Sequence, residues 1–207
     1  AYLDACKLRD NTIVVVFSDH GFEFFEHETW GQGNSAIGDF SARVPIIIAD
    51  PRIPRPRKVT QVVRTVDIAP TLLELAGLAV PADMQGVSLA PLMRGEALST
   101  DLPAFNETGV WLTDLPGTPK NHLRYPNLPE LLEVPDKTIG MISLKRKYVD
   151  VIVAAKDRMV RAGDWKLTYQ PLTDGATYRL FNIRNDPGCL RNVLDQYPEA
   201  AGRLRAL

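Results

Sequence analysis

The sequence predicts an α/β fold that ends in a small antiparallel-sheet subdomain with a terminal helix, on three observations. Two short apolar runs, TIVVVF (12–17) and VPIIIAD (44–50), lack the alternation of a one-sided strand and read as strands buried on both faces of a parallel sheet. TVDIAPTLLELAG (65–77) carries the start and stop signals of a helix. From residue 151 onward the pattern changes to a hairpin, a further strand and a closing helix.

In chain order, AYLDACKLRDN (1–11) reads as the end of an amphipathic helix, with Leu3, Cys6 and Tyr2 on one side, running into an Asp-Asn turn. It has no initiator Met and no signal-peptide pattern, so the chain is expected to begin inside a larger protein. Pro45 suits only the start or the edge of the second strand. In the helix, Thr65 is placed to cap, Asp67 suits the positive N-terminal end, Pro70 sits in the first turn and Gly77 stops it. Residues 78–98 read as a loop with a short helix at SLAPLMRG. From about 99 to 138 prolines recur (Pro103, Pro116, Pro119, Pro126, Pro129, Pro135), a long irregular crossing with a short helix at LPELLEV. DRMVRAGDWKLTYQ (157–170) is a hairpin turning at Gly163-Asp164; ATYRLFNI is a strand, RNDPG a turn and YPEAAGRLRAL a helix. The expected organisation is therefore 1–98 for the α/β part, 99–150 for the crossing and 151–207 for the subdomain. Two buried parallel strands cannot cover each other, so the rest of their sheet is expected from sequence outside this chain.

The 207 residues are 45% hydrophobic and 24% charged with a formal net charge of −1, which gives no reason to expect a nucleic-acid partner. No apolar run approaches the roughly 18 residues of a membrane span. Cys6 and Cys189 make neither a disulfide framework nor a zinc spacing, and two free thiols are preferred to one bridge.

The informative stretch is VVVFSDHGFEFFEHETWGQGN (14–34), where an apolar run stops at an acid beside a histidine. In open parallel sheets ligands sit outside the carboxyl ends of strands, which is where Asp19 and His20 lie. A carboxylate and an imidazole suit a divalent cation, and such a cation neutralises and polarises a phosphate or sulfate ester. The structural alternative is an Asp-His-Gly turn with a capping acid and a solvated ring.

The ordered series NTIVVVFSDHGFEFFEHETWGQGN, ARVPIII, VRTVDIAPTLLELAGLAVPADMQGVSLAPLMRG, DRMVRAGDWKLTYQ, YRLFNIRNDPG and YPEAAGRLRAL closely resembles the C-terminal part of the sulfatase family of the alkaline phosphatase superfamily. The resemblance implies an alkaline-phosphatase-like α/β sandwich and a hydrolase that cleaves sulfate esters at one divalent metal. It implies Asp19 and His20 as ligands, calcium as the family's metal with manganese or zinc as alternatives, and a formylglycine nucleophile upstream. No Cys or Ser here is followed by x-Pro-x-Arg, so the nucleophile and first ligands are expected outside this chain, which alone should be inactive. Where relatives read GHGN or GKG, this chain has GQGN; Gln32 can hydrogen-bond an oxyanion but carries no charge and donates no proton in the usual way. His27, Arg43 and the basic loop are the candidates to compensate. The site reading is thus Asp19 and His20 for metal, Gln32 and His27 for catalysis, and Gln32, Arg43 and Asn34 for substrate. The substrate is a small-molecule, glycan or lipid sulfate or phosphate ester, and the location leans periplasmic or extracellular. The rival readings are a phosphoester or phosphonate hydrolase, a phosphoethanolamine transferase of the same superfamily, or a non-catalytic remnant.

Other residues have plainer readings. Glu23 and Glu26 are expected as surface carboxylates, Asp67 as a helix-start acid, and Trp30, Trp111 and Trp165 as packing. Arg52, Arg55, Arg57 and Lys58 read as solvated charge, and His122 as a residue that could line a pocket rim.

Overall fold

The computed structural model describes residues 2–33, 35–53, 55–98, 102–110 and 118–207. Its elements run α1 (Tyr2–Ala5), β1 (Val14–Phe17), β2 (Glu23–Phe24), β3 (Trp30–Gly31), β4 (Ile46–Ala49), α2 (Ile68–Leu75) and α3 (Ala90–Arg94). There follow β5 (Ala104–Glu107), α4 (Leu128–Leu131), β6 (Leu132–Asp136), β7 (Met141–Leu144), α5 (Val149–Ala154), β8 (Arg158–Ala162), β9 (Trp165–Leu172), β10 (Gly175–Asn182) and α6 (Pro198–Arg205). They pack as two units, one of residues up to Asp19 with Val44–Ala104, the other of His20–Arg43 with Phe105–Leu207.

In the first unit β1 and β4 pair antiparallel, Val14 opposite Ala49 through Phe17 opposite Ile46, where the sequence had suggested parallel strands. The reason lies in the connection. A parallel return needs a crossover, normally a helix, and among the described residues between the two strands there is no α-helix. Within this chain Val16, Phe17 and Ile47 are exposed. An unbroken apolar run is compatible with either direction, so periodicity could not separate them.

α2 forms where the capping signals place it, but the cap differs. Arg64, not Thr65, is the N-cap of the one-turn 3₁₀ segment Thr65–Asp67 that leads into it. The fully buried Asp67 carboxylate accepts from Arg64 N (2.9 Å), Nε (3.0 Å) and Nη2 (2.7 Å), and from Val87 N (2.9 Å). This saturates an acid that would otherwise be costly to bury. Leu89, Leu92 and Leu102 form the small apolar core beside α3, with Val63 and Leu98 against it.

The second unit is a four-stranded sheet in the order β10-β9-β8-β5, closed by α6. β8 and β9 turn through Gly163-Asp164, with Gly163 in the left-handed region (φ 55°) that a tight hairpin requires. α6 starts with Pro198 in its first turn and buries Ala200, Ala201 and Leu204 against Val160, Leu167 and Leu180. Trp165 stacks beside Tyr197 (4.8 Å between centroids) and packs on this core, as its packing role anticipated. The proline-rich crossing is more ordered than its composition implies, since β6 and β7 form a bulged hairpin after α4. No described helix is long and apolar enough to cross a membrane. Cys6 and Cys189 are free thiols, and burial pushes the Cys189 thiol up to about 11.

Candidate active site

Asp19 and His20 follow β1 directly, and both are exposed. Nδ1 of His20 lies 2.8 Å from Gly21 O. A carbonyl only accepts, so Nδ1 carries a proton and donates it to Gly21 O. That backbone-to-imidazole contact is the arrangement that orients metal-ligating histidines. Asp19, its neighbour in sequence, carries a carboxylate, and a carboxylate and an imidazole are both ligand types that divalent cations accept. Among the described residues no group of three or more His, Cys, Asp or Glu side chains comes together as a metal site would.

Gly21 is held by its backbone. Its N–H donates to Ser41 O (2.8 Å), and an added Cβ would stand 1.9 Å from Phe40 O. Only glycine fits. Gly31 and Gly33 both have left-handed backbone (φ 110° and 67°) and bracket an exposed Gln32. Gly33 N donates to Ser41 Oγ (2.5 Å), and Gly33 O accepts from Gly109 N (2.8 Å). Ser41 thus ties the turn after His20 and the turn after Gln32 to one residue. Asn34 and Trp111 lie outside the described residues.

His27 is half-buried with φ 55°, its ring 5.9 Å from that of Phe40. Phe25 and Glu28, on either side, also have positive φ (72° and 60°), so this loop holds three non-glycine residues in a costly conformation. Arg43 is exposed; its N–H donates to Asp39 O (2.7 Å), and its charge assists in lowering the Asp39 carboxyl.

Glu23 corrects the surface reading. It is 0% exposed, accepts from Thr29 Oγ1 (2.7 Å), and burial pushes its carboxyl above the ordinary glutamate value. Its neighbours Phe24 (64% exposed) and Phe25 (68%) face outward instead, in a ring cluster with Phe22 and Trp30. Glu26 is half-buried and accepts from Phe24 N (2.5 Å). Arg52 pairs with Asp50 and caps Leu75 O, and the Arg57 guanidinium lies against Gly95, so half the basic loop has structural work. His122 is no rim residue: it is buried, with Nε2 2.6 Å from Asp157 Oδ1 and Nδ1 2.6 Å from Leu123 O.

Asp39, which sequence reasoning offered only as a partner for Arg43, is held by two residues that it passed over, Lys166 and Arg161. Asp39 accepts from Lys166 Nζ (2.8 Å) and Arg161 Nη1 (2.6 Å), and Lys166 Nζ also donates to Gly38 O (2.7 Å). Burial alone would raise the Asp39 carboxyl; the Lys166 ammonium, with Arg161 and Arg43, overrides it and leaves the carboxyl below the usual aspartate range. An isolated Asp in IGDF and a Lys in GDWKL carry no spacing signal that pairs them.

The family model of N-sulphoglucosamine sulphohydrolase, C-terminal, matches residues 34–102. A Delta 4,5-hexuronate-2-O-sulfatase of Bacteroides thetaiotaomicron is 42% identical over 204 residues, covering 95% of this chain and 34% of the relative. The chain belongs to the sulfatase family of the alkaline phosphatase superfamily and matches its C-terminal part. Human arylsulfatase K is 31% identical over 199 residues, covering 95% of this chain and 30% of the relative. A solved 2-O GAG sulfatase superposes with a TM-score of 0.65 at 27% identity, covering 95% of this chain and 35% of that one. The chain thus spans about a third of the length of these sulfatases.

Proposed function

We propose that this chain is the C-terminal portion of a metal-dependent sulfatase acting on sulfate esters of sugars. The observation that carries the reading is the His20 Nδ1 contact with Gly21 O beside Asp19, in a turn that Ser41 ties to the Gln32 bracket. Asp19 and His20 would hold a divalent cation, calcium by family, whose charge would neutralise the ester oxygens. The formylglycine nucleophile and the other ligands would come from elsewhere in the intact enzyme. Gln32 would orient one sulfate oxygen through its amide N–H without adding charge. Because an amide does not protonate a leaving group, His27 provides the titratable side chain for that step in this reading. Arg43 and Asn34 would complete the polar rim that meets the substrate. A sugar sulfate is favoured over a phosphate because the 42%-identical relative is named for a hexuronate 2-O-sulfate.

The test uses the intact protein supplied with calcium, manganese or zinc and offered uronate 2-O-sulfate, aryl sulfate and aryl phosphate. Sulfate turnover is expected, with a loss of about 100-fold or more in Asp19→Ala, on the scale of removing a group that sustains transition-state charge stabilisation. Unchanged turnover in Asp19→Ala would remove the metal assignment, and faster phosphate cleavage would shift the reading to a phosphoester hydrolase.

A further inference from the structure

We propose that Asp39 is a positioning residue of the active site, tying the β8–β9 hairpin, through Lys166 and Arg161, to the loop whose Ser41 holds the His20–Gly21 and Gln32–Gly33 turns together. The role of those two turns in catalysis rests on the sulfatase reading above; the mechanical coupling does not.

The first support is strand register. Arg161 and Lys166 are direct cross-strand partners in β8 and β9, so their side chains leave the same face next to each other. Two like charges in that relation repel, and Lys166 is 0% exposed. The arrangement holds only with an anion between them. Asp39 is that anion, one carboxylate oxygen on each cation at 2.8 and 2.6 Å. Lys166 also takes Gly38 O (2.7 Å), so the loop is gripped by backbone as well as by side chain.

The second support is what the gripped loop does next. Two residues on, Ser41 uses both of its oxygens: its carbonyl accepts from Gly21 N (2.8 Å), and its hydroxyl accepts from Gly33 N (2.5 Å). Each of those glycines immediately follows a proposed functional residue. On the near side of Asp39, Ile37 packs into the apolar cluster of Phe181, Ile183 and Cys189, a second anchor on the same subdomain. The loop between Ser35 and Ser41 is therefore fixed at its middle by an ion-pair hub, and at its end it sets the relation between two turns. A surface loop with a solvated acid would carry none of these links.

The experiment measures backbone deuterium exchange and steady-state kinetics in the intact protein with metal supplied. The variants are Asp39→Asn, Lys166→Met, Ser41→Ala and, as a control, Arg184→Ala, which lies after β10 and removes only an exposed ion pair to Asp164 at the hairpin turn (3.0 Å). Asp39→Asn is expected to raise exchange about tenfold at the amides of both Gly21 and Gly33 and to lower kcat about tenfold with KM within twofold. Ser41→Ala, a smaller change that keeps the hub, should raise exchange at Gly33 while sparing Gly21. Restoring the carboxylate one methylene longer in Asp39→Glu should recover part of the protection. Arg184→Ala should change neither readout. If Asp39→Asn folds and leaves exchange at both glycines at the control level, the proposal is overturned; if it does not fold, unchanged exchange at Gly33 in Ser41→Ala overturns it instead. Should the protein turn over no sulfate at all, the sulfatase reading fails while the exchange data still decide the coupling.

Discussion

Gly21→Ala tests the construction of the site most directly. The new Cβ would stand 1.9 Å from Phe40 O, 3.0 Å from Phe40 C and 3.3 Å from Ser41 Cα, all of them backbone atoms that cannot swing aside. Ordinary carbon-to-oxygen contacts begin at about 3.3 Å, so the Phe40–Ser41 segment would have to retreat by about 1.4 Å. That retreat would stretch the 2.8 Å bond from Gly21 N to Ser41 O beyond hydrogen-bonding range. Overpacking of this kind costs about 1–3 kcal/mol and the lost bond about 1 kcal/mol, giving about 2–4 kcal/mol in all. Gly77→Ala is the matched comparison: its φ is +72° and a Cβ there meets nothing within 4 Å, so it carries only the conformational cost of about 1 kcal/mol. The assay is urea denaturation of the intact protein followed by tryptophan fluorescence. With a slope of about 2 kcal/mol per molar, the midpoint should fall by about 1–2 M for Gly21→Ala and by about 0.5 M for Gly77→Ala. A Gly21→Ala midpoint no lower than that of Gly77→Ala would refute the close backbone approach.

Two more outcomes follow from buried carboxylates. Asp67→Ala strips four accepted hydrogen bonds from a buried position and leaves Arg64 without its carboxylate, so it should cost about 3–5 kcal/mol of unfolding free energy, read by urea denaturation of the intact protein. Glu23 has a folded-state carboxyl raised mainly by burial, so the native state holds its proton more tightly than the unfolded chain. Its contribution to stability is present below the ordinary glutamate value of about 4.3 and declines as pH rises through the window up to the raised value. Glu23→Gln should abolish that decline, so the stability difference between variant and parent should grow in the variant's favour with rising pH; parallel profiles in the denaturation midpoint would contradict the burial effect.

What the sequence revealed and what it hid divide along physical lines. The helix stopped at Gly77 and the hairpin at Gly163-Asp164 are local features, set by residues within a few positions of each other, and both stand in the structure. The strand direction of VVVF against IIIA is a non-local choice to which side-chain pattern is blind. FEFFEHE misled for another reason: Glu23 reads as a surface carboxylate, yet β2 turns Glu23 in and Phe24 out. Two-residue strands have too little length for periodicity to record which face is covered. Lys166 and Asp39 are separated by more than a hundred positions, and neither has a neighbour that betrays the other. Features set by neighbours in sequence were legible; the long-range ion pair of Asp39 with Lys166 was not.

The two-residue turn between β8 and β9 has a consequence for how this chain can vary. Because Ala162 opposes Trp165 across that turn, Lys166 emerges on the same side as Arg161. One residue inserted at the tip would shift the pairing by a single step and send the Lys166 ammonium to the opposite side of the sheet, among the apolar groups beneath α6. A solvent-exposed tip, where insertions are ordinarily harmless, is here bound to a fixed length, and a lengthened tip should mimic loss of the lysine itself.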